Sequence, residues 1–134
     1  AKLEIAAACH AYGKVPSHCV VTEFTDPAAM QAAAQRASQE LGYTRMWSIH
    51  PSQIRPILRA FAPALAEVEA AARILLAAQA AQWAAVGHGG ALHARAGSRC
   101  YWRLLERADF TGVALPSSVG HWFDVVTPVS HVTA

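Results

Sequence analysis

The stretch Trp47–Ile54, WSIHPSQI, decides how this chain is expected to fold. It begins apolar apart from Ser48, which is typical of a short strand buried in a parallel sheet. Pro51 disfavours the α region for His50 and keeps that residue extended. Ser52 is a residue type that caps a helix by accepting a hydrogen bond from a free backbone N–H. A strand that turns abruptly into a helix is typical of α/β proteins, which place their ligands at such corners.

A second corner of the same kind lies upstream. The β-branched residues of Val15–Phe24 predict a buried strand. Asp26 followed by Pro27 predicts a helix start, because aspartate is a good N-cap and proline at the first position loses no needed hydrogen bond. That helix is predicted over Ala28–Leu41, and the next strand over Arg45–His50. Two strands separated by one helix predict a parallel βαβ unit.

The remaining elements are predicted to be mostly helical. A first helix is expected over Lys2–Tyr12, and the longest over Ala64–Trp83, where apolar residues recur at helical spacing. The glycines of Gly87–Gly90 predict a loop, and a last helix is expected over Ser98–Ala108. Residues 111–134 show no clean period and predict an irregular tail.

Composition argues against several classes of partner. The net charge is +2, and no basic run interleaves with aromatic residues, so we expect no nucleic acid partner. No stretch of these residues resembles a signal peptide or is an apolar run long enough to cross a bilayer, so we expect no membrane partner. Cys9, Cys19 and Cys100 lie far apart, which predicts free, mostly buried thiols in a reducing cytoplasm.

Three stretches of the chain resemble the HpcH/HpaI aldolase and citrate lyase beta-subunit superfamily. WSIHPSQI resembles the family signature K-W-x-I-H-P-S-Q-I. Pro56–Pro63 is similar to the family's P-I-x-x-A-F-x-P, and Glu67–Leu75 is similar to E-V-x-x-A-R-x-L. The resemblance extends over roughly Lys2 to Ala108 and is most specific in the middle.

The resemblance implies an α/β fold, the C-terminal part of a (β/α)8 TIM barrel with trailing helices. A complete barrel takes about 200 residues or more, and this chain has 134, so it is expected to be a segment of one. Residues 1–61 would be βα units of the C-terminal half of the barrel. Residues 62–110 would be the long helix and a C-terminal helical extension, followed by the tail.

The resemblance also implies an activity. Members of this superfamily cleave or form carbon–carbon bonds of 2-oxo acids or of malyl-, citramalyl- and citryl-type CoA thioesters. They use Mg²⁺ held by a Glu and an Asp near an Arg, and these three family residues would lie before Ala1. The implied partners are a small-molecule substrate, with a CoA thioester as one candidate, and other subunits of a homo-oligomer. The family's acidic residue after the long helix has no counterpart in Gly90–Ser98.

Four residues are candidate substrate-binding residues: Glu23, Asp26, His50 and Gln53. They lie at the C-terminal ends of the two predicted strands or just after them, and in a parallel barrel those ends face the active site. A carboxylate there could orient the substrate, and a neutral imidazole could bond to a carbonyl or a CoA phosphate. Two alternatives stay open, since Asp26 is also explained as an N-cap and His50 could simply bond to neighbouring loop backbone.

Two other motifs, a pair of histidines and a glycine-rich stretch, give weaker evidence for a metal or nucleotide site. The spacing of His88 and His93 matches no common zinc pattern, so no metal site is expected within this chain. Gly87–Gly90 does not open a helix after a strand, as a dinucleotide fingerprint must.

A non-catalytic α/β domain, or a degenerate lyase homologue used for packing or binding, remains the alternative function. Four aromatic residues are expected in the core or at a subunit interface: Trp83, Tyr101, Trp102 and Trp122.

Overall fold

Two short parallel strands joined by a helical segment organise the first part of the chain. The structure is a computed structural model that describes residues 1–124. In it, β1 (Ser17–His18) pairs with β2 (Arg45–Met46), and Ser17 lies opposite Arg45. The pairing is parallel, as the sequence predicts.

Both strands are much shorter than predicted, and the prediction that they are buried is wrong. Side chains of the predicted strands are exposed, by 38% at Val20, 63% at Trp47 and 56% at Ile49. A barrel strand is buried because neighbouring strands bond to both edges and side chains cover both faces. Within residues 1–124, β1 and β2 bond only to each other. The ladder therefore ends early, and these side chains of the predicted strands stay exposed.

The first compact unit, Ala1–Ala62, contains three helices besides this strand pair. These are α1 (Lys2–Ala11), α2 (Pro27–Gln35) and α3 (Ile54–Phe61), close to the predicted helices. A π-helical segment, Arg36–Glu40, extends α2. The buried core of this unit is Ala6, Ala34, Ala37, Tyr43, Ala60 and Phe61.

The second compact unit begins at Pro63 and is built on two long helices. It contains α4 (Leu65–Ala80), a hairpin of β3 (Val86–His88) and β4 (Ala91–His93), α5 (Arg95–Thr111) and the short α6 (Ser117–Gly120). The side of α4 that faces α5 carries most of the core. The buried core of this unit is Val68, Ala71, Ala72, Leu75, Leu105, Ala108 and Val119.

The predicted loop at Gly87–Gly90 is instead part of the hairpin. Gly89 and Gly90 have φ of +59° and +78°, which a two-residue type I′ turn requires at both central positions. Such a turn matches the twist of the two strands it joins. The Gly-Gly pair between two three-residue strands was the signal for this hairpin.

The helix α4 ends three residues before the predicted Trp83. The N–H of Gln82 donates to Gln79 O at 3.0 Å, and the N–H of Trp83 donates to Ala78 O at 2.6 Å. These two bonds form a Schellman motif, which needs a left-handed residue just beyond the helix. Gln82 fills that position with φ of +53°, and no glycine there marks the helix end in the sequence.

Three further predictions concern the whole chain. No helix within residues 1–124 combines the length and apolar character needed to cross a membrane. The cysteines are free, but Cys19 and Cys100 are exposed, so the prediction of mostly buried thiols is wrong. Of the predicted irregular tail, 111–134, residues 125–134 lie outside the described residues. Its described part includes α6, where Val119 is fully buried.

Candidate functional site

The candidate site consists of the β1–α2 loop, residues 19–26, and the β2–α3 loop, residues 47–50, which we call the corner loops. Gln53 connects them. Its Nε2 donates to Val21 O at 2.7 Å and to Glu23 O at 3.0 Å, while its Oε1 accepts from the Ile49 N–H at 3.0 Å. The side chain is 1% exposed. Direct substrate contact would require these bonds to break, so we assign Gln53 a positioning role instead.

His50, rather than Ser52, caps the turn that follows the second corner loop. His50 is extended, as Pro51 predicts, with φ of −146°. The Ser52 N–H donates to His50 Nδ1 at 3.2 Å, so the prediction of Ser52 as the cap is wrong. The Ser52 hydroxyl lies 2.8 Å from Nδ1 and 3.2 Å from Phe24 O, and its single proton can reach either acceptor.

This arrangement selects one tautomer of the neutral His50 imidazole. With Nδ1 accepting the Ser52 N–H, the proton of the neutral imidazole resides on Nε2. The imidazole is exposed, and its ring lies 5.1 Å from that of Phe24, tilted by 31°. His50 therefore offers an N–H donor beside an aromatic ring at the surface of the corner loops.

Glu23 is exposed and organises its own loop. Its Oε1 accepts hydrogen bonds from the Thr25 hydroxyl, from the Thr25 N–H at 2.7 Å and from the Asp26 N–H at 3.3 Å. These donors favour the charged form and hold the pKa of the Glu23 carboxyl below its ordinary value, with the Thr25 hydroxyl as the largest cause. Glu23 thus has a structural role, holding the backbone of Thr25 and Asp26, which its position in the sequence did not indicate. Its Oε2 makes no hydrogen bond within residues 1–124.

Asp26 caps α2, as one of the two sequence alternatives proposes. Its Oδ1 accepts from the Ala28 N–H at 2.9 Å and from the Ala29 N–H at 3.2 Å, with Pro27 at the first helical position. The cap explains why aspartate stands here. Of the four candidates, Gln53 is the one whose side-chain polar atoms are all bonded, whereas His50 Nε2, Glu23 Oε2 and Asp26 Oδ2 make no hydrogen bond within residues 1–124.

The corner loops do not fit a metal ion by themselves. Within residues 1–124 no group of three or more His, Cys, Asp or Glu side chains lies close enough to hold one. We therefore assign no metal ligands to this segment.

His18 is a buried histidine that the sequence did not single out. Lys2 Nζ can only donate, so His18 Nε2 accepts from it at 3.1 Å, and Nδ1–H donates to Cys19 O at 3.1 Å. The Cys19 sulfur lies 3.9 Å from that protonated nitrogen, so His18 is no base for the thiol. Burial and, secondly, the Lys2 charge lower the pKa of His18.

His88 and His93 come together across the hairpin, with ring centroids 6.3 Å apart. His93 is held on both sides, since its Nε2 lies 3.2 Å from His88 O and its Nδ1 lies 2.7 Å from the Tyr101 hydroxyl. Both nitrogens of His93 are therefore in use. These contacts attach the hairpin to α5 and leave His93 without a lone pair for a metal.

Comparison with known proteins finds similarity among solved structures. No family model matches the chain, and neither does any curated protein. The crystal structure of a citrate lyase from Burkholderia xenovorans LB400 is 56% identical in sequence, with a TM-score of 0.68. The crystal structure of CitE from Mycobacterium tuberculosis, in complex with magnesium, acetoacetate and coenzyme A, is 25% identical, with a TM-score of 0.64.

These similarities involve most of this chain but only part of the other two. The match to the citrate lyase covers 87% of this chain and 37% of that one. The match to CitE covers 81% of this chain and 40% of that one. The chain thus spans less than half the length of either protein.

Proposed function

We propose that this chain, which belongs to the HpcH/HpaI aldolase and citrate lyase beta-subunit superfamily, is a segment of a carbon–carbon lyase. The observation that carries this proposal is the 56% identity to a citrate lyase over 87% of the chain. The substrates we propose are CoA thioesters of hydroxy acids of the malyl, citramalyl or citryl type, or 2-oxo acids. The CoA and acetoacetate bound to the CitE protein support a thioester of a small acid.

We further propose that the complete protein requires Mg²⁺. The magnesium in the CitE complex supports this requirement. The ligands would come from outside residues 1–124, because that part of the chain contains no suitable cluster. We derive no chemical step from the metal for this segment.

The segment would contribute substrate-binding groups from its corner loops. His50 offers an N–H donor for a carbonyl, carboxylate or phosphate oxygen, and the ionised Glu23 offers an acceptor for a hydroxyl group. Gln53 and Asp26 hold the two loops in place through backbone bonds. We also propose a cytoplasmic protein that forms homo-oligomers.

Retro-aldol cleavage by the full-length protein tests this proposal. Malyl-CoA, citramalyl-CoA, citryl-CoA and a 4-hydroxy-2-oxo acid are supplied with and without Mg²⁺, and release of the keto product is followed. We expect cleavage of one class that stops when Mg²⁺ is chelated. Absence of cleavage in every case would overturn the lyase proposal and favour the non-catalytic alternative.

The contribution of the corner loops has its own test. Replacing His50 by Ala should raise KM for the cleaved substrate by about tenfold, because one charge-assisted or neutral hydrogen bond is lost on binding. The matched variant Ser52→Ala removes a neighbouring polar group and should change KM less than threefold. An unchanged KM in His50→Ala would show that this histidine does not touch the substrate.

A further inference from the structure

A cleft in the second compact unit lies between α4 and the segment 114–118, which leads from α5 into α6. Its cavity volume is about 440 Å³, and sites for small molecules measure roughly 300–1,000 Å³. On α4 it is lined by Leu65, Glu69, Ala72 and Arg73. These residues lie on one side of the helix because they are spaced three and four apart. We call this space the α4 cleft.

The buried part of the lining is apolar. Ala72 is 2% exposed, and Leu115 and Pro116 are half-buried on the opposite wall. Leu65 also lines the cleft and is 54% exposed. An aliphatic group placed here would remove apolar surface from water, which favours binding. The α4 cleft therefore suits a ligand with an aliphatic part.

Two opposite charges line the same cleft. Among the described residues around it, Glu69 and Arg73 are the charged ones. Glu69 Oε2 lies 4.0 Å from Arg73 Nη1, which is longer than a hydrogen bond. Both side chains are exposed, and an exposed pair at this separation contributes little to stability. The carboxylate can thus still accept hydrogen bonds from a ligand, and the guanidinium can still donate them.

These charges select a class of ligand. A simple anion that Arg73 attracts is repelled by Glu69, and a simple cation meets the reverse situation. A zwitterion avoids this conflict because it carries both signs of charge. In an α-amino acid the ammonium and the carboxylate are attached to one carbon atom, so they lie close together, as Glu69 and Arg73 do. Its side chain would extend from the same carbon atom.

We propose that the α4 cleft binds a free α-amino acid with an aliphatic side chain. The ligand carboxylate pairs with Arg73, the ammonium pairs with Glu69, and the side chain lies against Ala72 and Leu115. The Ser118 hydroxyl lines the cleft and can donate to the ligand carboxylate. The ligand would contact α4 and the segment 114–118 together, and would therefore stabilise the second unit. The inference does not rest on the proposed function, since none of these residues belongs to the corner loops.

Equilibrium dialysis of radiolabelled L-leucine against the full-length protein tests the proposal. We expect saturable binding with a Kd of about 1 mM or tighter. Three unlabelled analogues then compete with it. Isocaproate lacks the ammonium, isoamylamine lacks the carboxylate, and glycine lacks the aliphatic side chain. Each should compete at least about tenfold more weakly than leucine, because each loses one of the three contacts.

Charge-neutral variants test which residue recognises which group. Glu69→Gln should weaken leucine binding by about tenfold and strengthen isocaproate binding, because the carboxylate is no longer repelled. Arg73→Gln should also weaken leucine binding and should strengthen isoamylamine binding for the corresponding reason. A pair that only stabilises the helix would not exchange the preference between acid and amine in this way.

The matched control is an exposed pair with the same spacing in the first unit. Glu40 Oε2 lies 3.5 Å from Arg36 Nε, and Glu40→Gln should change leucine affinity less than about twofold. An equal loss in this control would overturn the proposal. So would a Kd for leucine above about 10 mM, or an analogue that competes as well as leucine. If a variant fails to fold by circular dichroism, the analogue series on the unaltered protein decides.

Discussion

The side chain of Gln53 bonds to three backbone groups from two stretches of the chain, Val21 to Glu23 and Ile49. Replacing it by Leu keeps the volume but removes the side-chain partner of those three backbone groups. We expect Gln53→Leu to lower the free energy of unfolding by about 2 kcal/mol, measured by urea denaturation. The control Ser52→Ala removes an exposed hydroxyl nearby and should cost less than about 1 kcal/mol. Equal losses in the two variants would contradict the role of Gln53 described above.

The hydroxyl of Thr25 is the largest cause of the lowered pKa of Glu23. Thr25→Val removes that donor while keeping the shape of the side chain, so we expect the pKa of Glu23 to rise towards its ordinary value. Thr25→Ser keeps the hydroxyl and should leave the pKa low. Carbon-13 NMR titration of the Glu23 carboxyl measures both variants. A similar pKa in the two would assign the effect to the backbone N–H groups alone.

At the scale of single residues, the sequence predicted backbone conformation and helix capping better than the hydrogen-bond partners of side chains. The Asp26 cap and the extended His50 follow from the proline after each, and both are present. The bonds of Gln53 and Glu23 join groups that folding brings together, so their spacing along the chain does not show them. The same holds for His18, which a lysine sixteen residues away contacts.

The helices α4 and α5 end in the same motif with different residues. Gly112, with φ of +77°, ends α5, and its N–H and that of Val113 donate to Asp109 O and Ala108 O. At the end of α4 this left-handed position belongs to Gln82. Because glycine has no Cβ to clash there, we expect Gln82→Gly to raise the free energy of unfolding by about 1 kcal/mol.

The reverse change on the other helix is the matched control for this element. Gly112→Ala should lower the free energy of unfolding by about 1 kcal/mol, and thermal or urea unfolding measures both variants. A loss of stability in Gln82→Gly would show that the glutamine side chain contributes more than its backbone strain costs.

Among the elements, helices were predicted more closely than strands. Helix periodicity and capping are local properties, so α1, α2 and α4 begin within one residue of prediction. Strand length depends on neighbours from elsewhere in a sheet, and residues 1–124 supply only one neighbour each for β1 and β2. The hairpin at Gly89–Gly90 was missed because its glycines were interpreted as a loop.

Stability of the first unit as a whole should depend on pH through His18. Its pKa is lower in the folded chain than the ordinary 6.5, so folding is favoured where the imidazole is neutral in both states. That contribution is present above the ordinary pKa and is lost as the pH falls below it. We expect the unfolding free energy to decline between about pH 7 and pH 5, and to decline less in His18→Gln, when both are followed by urea denaturation. An identical pH dependence in the two chains would rule His18 out as its source.

For the molecule as a whole, the family resemblance of Trp47–Ile54 and its surroundings predicted the fold and function more specifically than any physical pattern in the sequence. The similarity to citrate lyase and CitE proteins confirms it. Hydrophobic periodicity indicated an α/β chain, whereas the family was inferred from three short motifs that follow one another along the sequence. The proposed Mg²⁺ ligands would come from outside residues 1–124, so patterns within these residues do not indicate them.

The buried amide of Gln53 has a consequence for how the corner loops open. Since one side chain holds both loops, neither can detach without releasing bonds to the other. The two loops should therefore exchange their amide hydrogens as one cooperative unit, with a shared opening free energy. A ligand that bound to one loop would then slow exchange in both, and protect the distant one without touching it.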